Sequence, residues 1–300
     1  MSEPWALARS TSHRWTHQDI VESPLRGVEL AAFLQRENGP GPRLYDEGRE
    51  RLEGDFASIE LRVLLPIRHP QAVVVWFLDG LSVLPTADDV DVVVRKLAER
   101  TGATWVVVDD PHADRPAADV ARLVTEVVLR VRDGLPAHSG PDRPLIVGGQ
   151  GTGALRALRA ALAARDRQDP VAAVLLVAPV VEPPADPVPA GEGTAGTLPD
   201  AATIDAFWAR YAAGGNADPV LSDDLSGLPP AVVLTAGLDP LADEGEALAQ
   251  RLSDAGGQVL HYHHADEIHD FLVLLMLRAS ERGFQQLTRA VRAVIVKGEL

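Results

Sequence analysis

The stretch that decides the fold is Pro144 to Arg165, PLIVGGQGTGALRALRAALAAR. A short Val/Ile/Leu run (144–148) meets a glycine-rich turn, Gly149-Gln150-Gly151-Thr152-Gly153, and then an Ala/Leu/Arg segment with helical periodicity (152–165). Strand, tight turn and helix in that order form half of a βαβ unit, in which a parallel strand is buried on both faces and reads as continuously apolar.

The same alternation extends in both directions. Apolar, largely β-branched runs predict strands at 57–65, 72–78, 103–109, 144–148, 172–177, 230–236 and 258–263. Amphipathic stretches predict helices at 89–100, 116–132, 152–165, 243–255 and 279–296. The fold class is therefore α/β, a mostly parallel central sheet with helices on both faces. The alternation of Ile59, Leu61, Val63 and Leu65, with Glu60 and Arg62 between the first three, places the 57–65 strand at the sheet margin as an antiparallel member.

Two regions break the pattern. Residues 1–55 contain a helical stretch from Gly27 to Arg36, with Trp5 and Trp15, and little strand character, so they are read as an N-terminal cap on a core of residues 56–300. Residues 179–200 carry Pro179, Pro183, Pro184, Pro187, Pro189 and Pro199 with Gly191, Gly193 and Gly196, a loop composition. A short helix follows at 202–212. Its Phe207, Trp208 and Tyr211 are candidate pocket walls above the carboxyl edge of the sheet, or else ordinary core packing.

Composition restricts the function. The chain has 300 residues, 46% of them hydrophobic, enough to bury a large core. A net charge of −15 repels phosphate backbones and anionic lipid, so neither nucleic acid nor membrane is an expected partner. No signal-peptide pattern or spanning run is present, which makes the expected location cytoplasmic. The absence of cysteine removes thiolate nucleophiles, disulfides and iron–sulfur clusters. His261, His263, His264, Asp266, Glu267, His269 and Asp270 crowd one segment, but without rigid ligand spacing, so no metal and no cofactor is expected.

Several segments resemble the hormone-sensitive-lipase family of bacterial esterases and lipases, on the α/β-hydrolase fold. They are Leu97-Ala98-Glu99-Arg100-Thr101-Gly102-Ala103 before Val106-Val107-Val108-Asp109; Asp224-Leu225-Ser226-Gly227-Leu228-Pro229-Pro230 before Val232 to Ala236; Asp239-Pro240-Leu241-Ala242-Asp243-Glu244-Gly245; and Ile268-His269-Asp270-Phe271. The resemblance implies a nucleophile elbow G-x-S-x-G at Gly149 to Gly153, where Gly151 occupies the serine's position. It also implies an oxyanion loop at Leu78-Asp79-Gly80-Leu81, where only Gly80 remains of His-Gly-Gly-Gly and Asp79 brings a carboxylate to where negative charge should develop. Asp239 and His269 fill the two remaining triad positions in the family's order.

These departures predict a protein without serine-esterase activity. An Asp239-oriented His269 is still a competent general base, so the reading favoured by the sequence is a non-hydrolytic enzyme. It would bind a small hydrophobic molecule and move protons in an elimination, cyclisation or isomerisation. One alternative is a catalytically inert ligand-binding or protein-interaction pseudoenzyme. Another is a carboxylesterase with a displaced nucleophile, Thr152 or Ser82. A homodimer is compatible with all three.

Overall fold

The computed structural model describes residues 16–21, 27–54, 58–68, 70–82, 84–112, 115–134, 143–183, 199–213, 224–298 and 300. In chain order the elements are α1 (His17–Val21), α2 (Gly27–Asn38), β1 (Asp46–Leu52), β2 (Ile59–Leu65), β3 (Val73–Phe77), α3 (Asp91–Thr101), β4 (Thr104–Asp109), α4 (Ala117–Arg132), β5 (Leu145–Gln150), α5 (Thr152–Asp166), β6 (Ala173–Val177), α6 (Ala201–Tyr211), β7 (Ala231–Ala236), α7 (Ala242–Asp254), β8 (Val259–His264) and α8 (Arg278–Lys297). The eight strands form one sheet in the order β1-β2-β4-β3-β5-β6-β7-β8. Only β2 runs against its neighbours, pairing antiparallel with both β1 and β4; β4, β3, β5, β6, β7 and β8 are parallel.

Each predicted strand is present within two residues of its expected ends. The central strands β3, β5, β6 and β7 are buried at every position, which is why they read as unbroken apolar runs. Burial on both faces divides the core in two. One cluster joins the sheet to α4, α5, α6 and α7, and the other joins the opposite face to α1, α2, α3 and α8.

The boundary of the cap requires correction. Residues 46–52, assigned from sequence to the cap segment 1–55, form β1 and belong to the core sheet. Their sequence, DEGRERL, gives no alternation of apolar and polar residues because all but the last are at least partly solvated. Charges of both signs suit a sheet edge, where they discourage pairing with another chain. They are also used structurally. Arg62 on β2 bonds Asp88 at 2.8 Å and Asp91 at 2.5 Å, while Arg49 pairs with Glu60 and Asp88 and Arg95 with Glu47 and Asp91. A polar segment thus becomes a strand through ion pairing rather than burial.

In the N-terminal segment, α2 buries Leu30, Phe33 and Leu34. Gln35 bonds Asp89, and Asn38 Nδ2 donates to the Val273 carbonyl at 3.4 Å, so α2 lies beside the chain segments that follow β3 and β8. Trp5, Trp15 and positions 184–198 of the Pro/Gly-rich loop lie outside the described residues. In α6, Phe207, Trp208 and Tyr211 are buried against one another, with ring centroids 5.1–5.8 Å apart, and belong to the core cluster with α5 and α7. Their structural place is the packing of the helix onto the core.

Candidate active site

The elbow is built by close backbone approach. Gly151 caps the start of α5 at φ 55°, ψ −120°, a left-handed conformation that side-chain-bearing residues adopt only under strain. A Cβ on Gly153 would stand 2.1 Å from the Phe77 carbonyl oxygen, and one on Gly149 would stand 2.3 Å from the Gly153 backbone. The end of β3 and the first turn of α5 therefore touch through their main chains. That contact brings Asp79, two residues beyond β3, against Gly151.

The carboxylate of Asp79 occupies the space of the missing side chain. A Cβ built on Gly151 would lie 2.2 Å from both Cγ and Oδ2 of Asp79. Asp79 Oδ1 accepts from the Thr152 N–H (3.0 Å), the Leu81 N–H (3.0 Å) and the Thr152 hydroxyl (3.1 Å). That hydroxyl is itself oriented by accepting from the Gly80 N–H at 2.8 Å. On this fold the oxyanion is held by the N–H after the nucleophile and by an N–H of the loop after β3. Here those donors already hold a carboxylate oxygen, supplied by the chain itself.

Asp79 Oδ2 faces the histidine. His269 Nε2 lies 2.9 Å from Asp79 Oδ2, and His269 Nδ1 lies 2.6 Å from Asp239 Oδ2. The other Asp239 oxygen accepts from the Leu241 N–H at 2.9 Å. Each ring nitrogen faces a carboxyl oxygen, and donation from both nitrogens defines an imidazolium. Burial alone would favour the neutral ring, but the Asp239 charge and hydrogen bond, followed by those of Asp79, hold the proton well above the ordinary histidine range. His269 is 0% exposed, Asp79 4% and Asp239 6%. The three form a closed Asp–His–Asp ion triad.

The sequence-derived site residues therefore converge. Gly149, Gln150, Gly151, Thr152 and Gly153 form the elbow, Leu78, Asp79, Gly80 and Leu81 line its other side, and Asp239 and His269 complete it. Neither alternative hydroxyl is bonded to the histidine: Thr152 faces Asp79 and Gly80, while Ser82 accepts from the Leu84 N–H. Gln150 Nε2 donates to Asp270 at 2.7 Å. Its Oε1 has no partner among the described residues. It borders a cavity of about 10 Å³, shared with Asp79, Ser82, Trp76 and Leu272, which is the size of one water. The histidines of β8 are otherwise engaged. His261 and His263 share the Thr235 hydroxyl, and His264 bonds Gln286. No group of three metal-ligating side chains occurs among the described residues.

Position alone did not single out Glu244, on the first turn of α7. Its Oε2 accepts from the Val181 and Glu182 N–H groups at 3.0 and 3.2 Å, and its Oε1 is unpartnered among the described residues. Burial, opposed by those two hydrogen bonds and assisted by the charge of Asp239, pushes its carboxyl up to about 7. A carboxyl raised in the fold is most favourable while protonated, so its contribution is complete below about 4.5 and declines as pH rises toward 7. Glu244→Gln is therefore expected to gain stability relative to wild type across that interval, reaching roughly 3 kcal/mol at pH 8 and nothing at pH 4. Urea unfolding at the two pH values measures this, and a pH-independent difference would contradict the assignment.

Comparison with known proteins agrees with the fold. A family model described as the alpha/beta hydrolase fold matches residues 74–273. The carboxylesterase NlhH of Mycobacterium tuberculosis is 29% identical over 297 residues, covering 89% of this chain and 91% of that protein. An esterase structure from Pyrobaculum calidifontis superposes with TM-score 0.81 at 24% identity, covering 93% and 98% of the two chains. A thermostable esterase from Pseudomonas putida gives TM-score 0.72 at 25% identity, with 92% and 91% covered. No helix among the described residues is long and apolar enough to cross a membrane.

Proposed function

We propose, for a chain that belongs to the α/β-hydrolase family and to its esterase/lipase branch, a function that does not include ester turnover. The family's catalytic machinery is converted here into a buried ion triad. The scaffold then serves binding, of a ligand or of a protein partner. The observation that carries this reading is the place of the Asp79 carboxylate, which fills the nucleophile position, takes the oxyanion donors and occupies the Nε2 of the histidine together.

An acyl-enzyme needs a nucleophile with a base in hydrogen-bond reach. Gly151 offers no nucleophile, and His269 has no free nitrogen with which to accept a proton. The same fact weakens proton-transfer chemistry by the Asp239–His269 pair, the reading favoured by sequence alone. An imidazolium donating both protons to carboxylates is not a base at neutral pH. That the named relatives are carboxylesterases speaks for the ancestry of the scaffold, while the residues in the site speak against the activity.

Fluorophosphonate probes and p-nitrophenyl acetate provide the test. The purified chain is expected to show neither covalent labelling nor turnover above the rate in buffer. Stoichiometric labelling of Thr152 or Ser82 would defeat the proposal and establish the displaced-nucleophile esterase.

A further inference from the structure

The donors around Asp79 describe a binding site as well as a blocked catalytic one. Two backbone N–H groups and a hydroxyl converge on one oxygen, and an imidazolium N–H meets the other, all within 2.9–3.1 Å. Every contributing residue, Leu81, Thr152 and His269, is buried. Thr152 also opens α5, a helix of 15 residues whose amino terminus adds positive potential at this point. Four buried donors in a fork, with net positive character, recognise the shape and charge of a carboxylate.

We infer that the cradle is a carboxylate-binding site in its own right, whose resident ligand is the tethered side chain of Asp79. The inference rests on the reading of the site as closed to ester turnover and deepens it by naming the ligand class. Tethering explains why the natural chain would not respond to free carboxylates. An intramolecular group on a short link competes at an effective concentration that small anions in solution do not reach. Deleting the tethered group should therefore leave three unpaired buried donors and a half-paired imidazolium, an arrangement that favours a replacement anion of matching shape.

The size of that replacement follows from the atoms removed. Asp79→Ala deletes the carboxylate and keeps Cβ, so the vacancy matches formate. Asp79→Gly also deletes Cβ and makes room for acetate. Asp79→Asn leaves the space filled and should take up neither. Binding to the folded form raises its melting temperature as the anion saturates.

The experiment is a melting titration of wild type and the three variants with sodium formate, sodium acetate and sodium chloride at matched ionic strength and pH 7. Formate is expected to raise the melting temperature of Asp79→Ala saturably, by at least about 2 °C beyond chloride. Acetate should do so for Asp79→Gly, while wild type and Asp79→Asn should follow chloride alone. In parallel, the downfield Nε2–H resonance expected of His269 in wild type should be lost in Asp79→Ala and return with formate, while the Nδ1–H resonance facing Asp239 persists. Identical responses to formate and chloride would overturn the inference. If Asp79→Ala does not fold in chloride, refolding yield becomes the readout: recovery in formate alone supports a carboxylate site, and no recovery in either salt refutes it. Ester turnover by wild type would defeat the proposed function separately, without altering what the formate titration reports.

Discussion

Gly151→Ser, the substitution that rewrites the elbow as G-x-S-x-G, is expected to yield a less stable protein with no esterase activity. The new Cβ would be placed 2.2 Å from the Asp79 carboxyl carbon, and backbone and carboxylate cannot both stay where they are. Displacing Asp79 breaks its bond to His269 and abandons three donors. Breaking a buried charged pair in this way costs about 3–5 kcal/mol, and a side chain at φ 55° adds roughly 1–3 kcal/mol of backbone strain. If Asp79 is removed as well, the conflict disappears. Asp79→Gly/Gly151→Ser should be better folded than Gly151→Ser and should present a serine to a His269 whose Nε2 is free, with the Leu81 and Thr152 N–H groups open to an oxyanion.

The double variant is accordingly expected to label with fluorophosphonate and to exceed either single variant by at least about 10²-fold in p-nitrophenyl acetate turnover, the scale attached to even one oxyanion donor. Urea unfolding and labelling of the three variants measure both halves of the claim. Turnover by Gly151→Ser alone would mean that Asp79 leaves the site at little cost. A folded but inert double variant would mean that Leu78 and Leu81, the other departures in the loop, misplace the remaining donors.

This coupling also marks how much of the molecule was legible in the sequence. The parallel strands could be read because burial on both faces demands apolar runs, and the elbow because Gly149 and Gly153 are imposed by backbone contact. β1 escaped because an edge strand held by ion pairs has no apolar face to declare itself. At the site, the loss of a side chain at Gly151 and the gain of one at Asp79 were each visible as separate departures. Their complementarity was not. Asp79 and His269 are 190 positions apart in sequence, and only the packing of β3 against α5 turns two independent oddities into one filled space. The same contact reverses the functional preference, because a histidine read as a free base proves to be held between two acids.

Removal of the central cation should be strongly destabilising as well, and in a pH-dependent way. His269→Leu leaves Asp79 and Asp239 buried with no imidazolium between them, and truncating one partner of a buried ionic group typically costs about 3–5 kcal/mol. The penalty should depend on pH at both ends. Toward acid, one of the two orphaned carboxyls in the variant takes up a proton, since neighbouring like charges raise its affinity. A carboxyl raised in this way restores stability as pH falls toward its unfolded value near 3.9. Toward alkali, wild type itself weakens. The histidine's proton is held well above its ordinary value, so its contribution is complete below about 6.5 and fades as pH rises through the folded value. The gap between wild type and His269→Leu should thus be widest around neutrality. Adding Asp79→Asn to His269→Leu deletes one orphaned charge while keeping its shape. It should recover stability at pH 7 although the same substitution in wild type loses it, a reversal of sign that places the coupling at roughly 1–3 kcal/mol. Urea unfolding of the four proteins of this cycle at pH 5, 7 and 9 reads each arm. Additive losses, or a penalty that does not change with pH, would show that the three side chains do not act as one ionic unit. That result would return His269 to the role of an independent base beside Asp239.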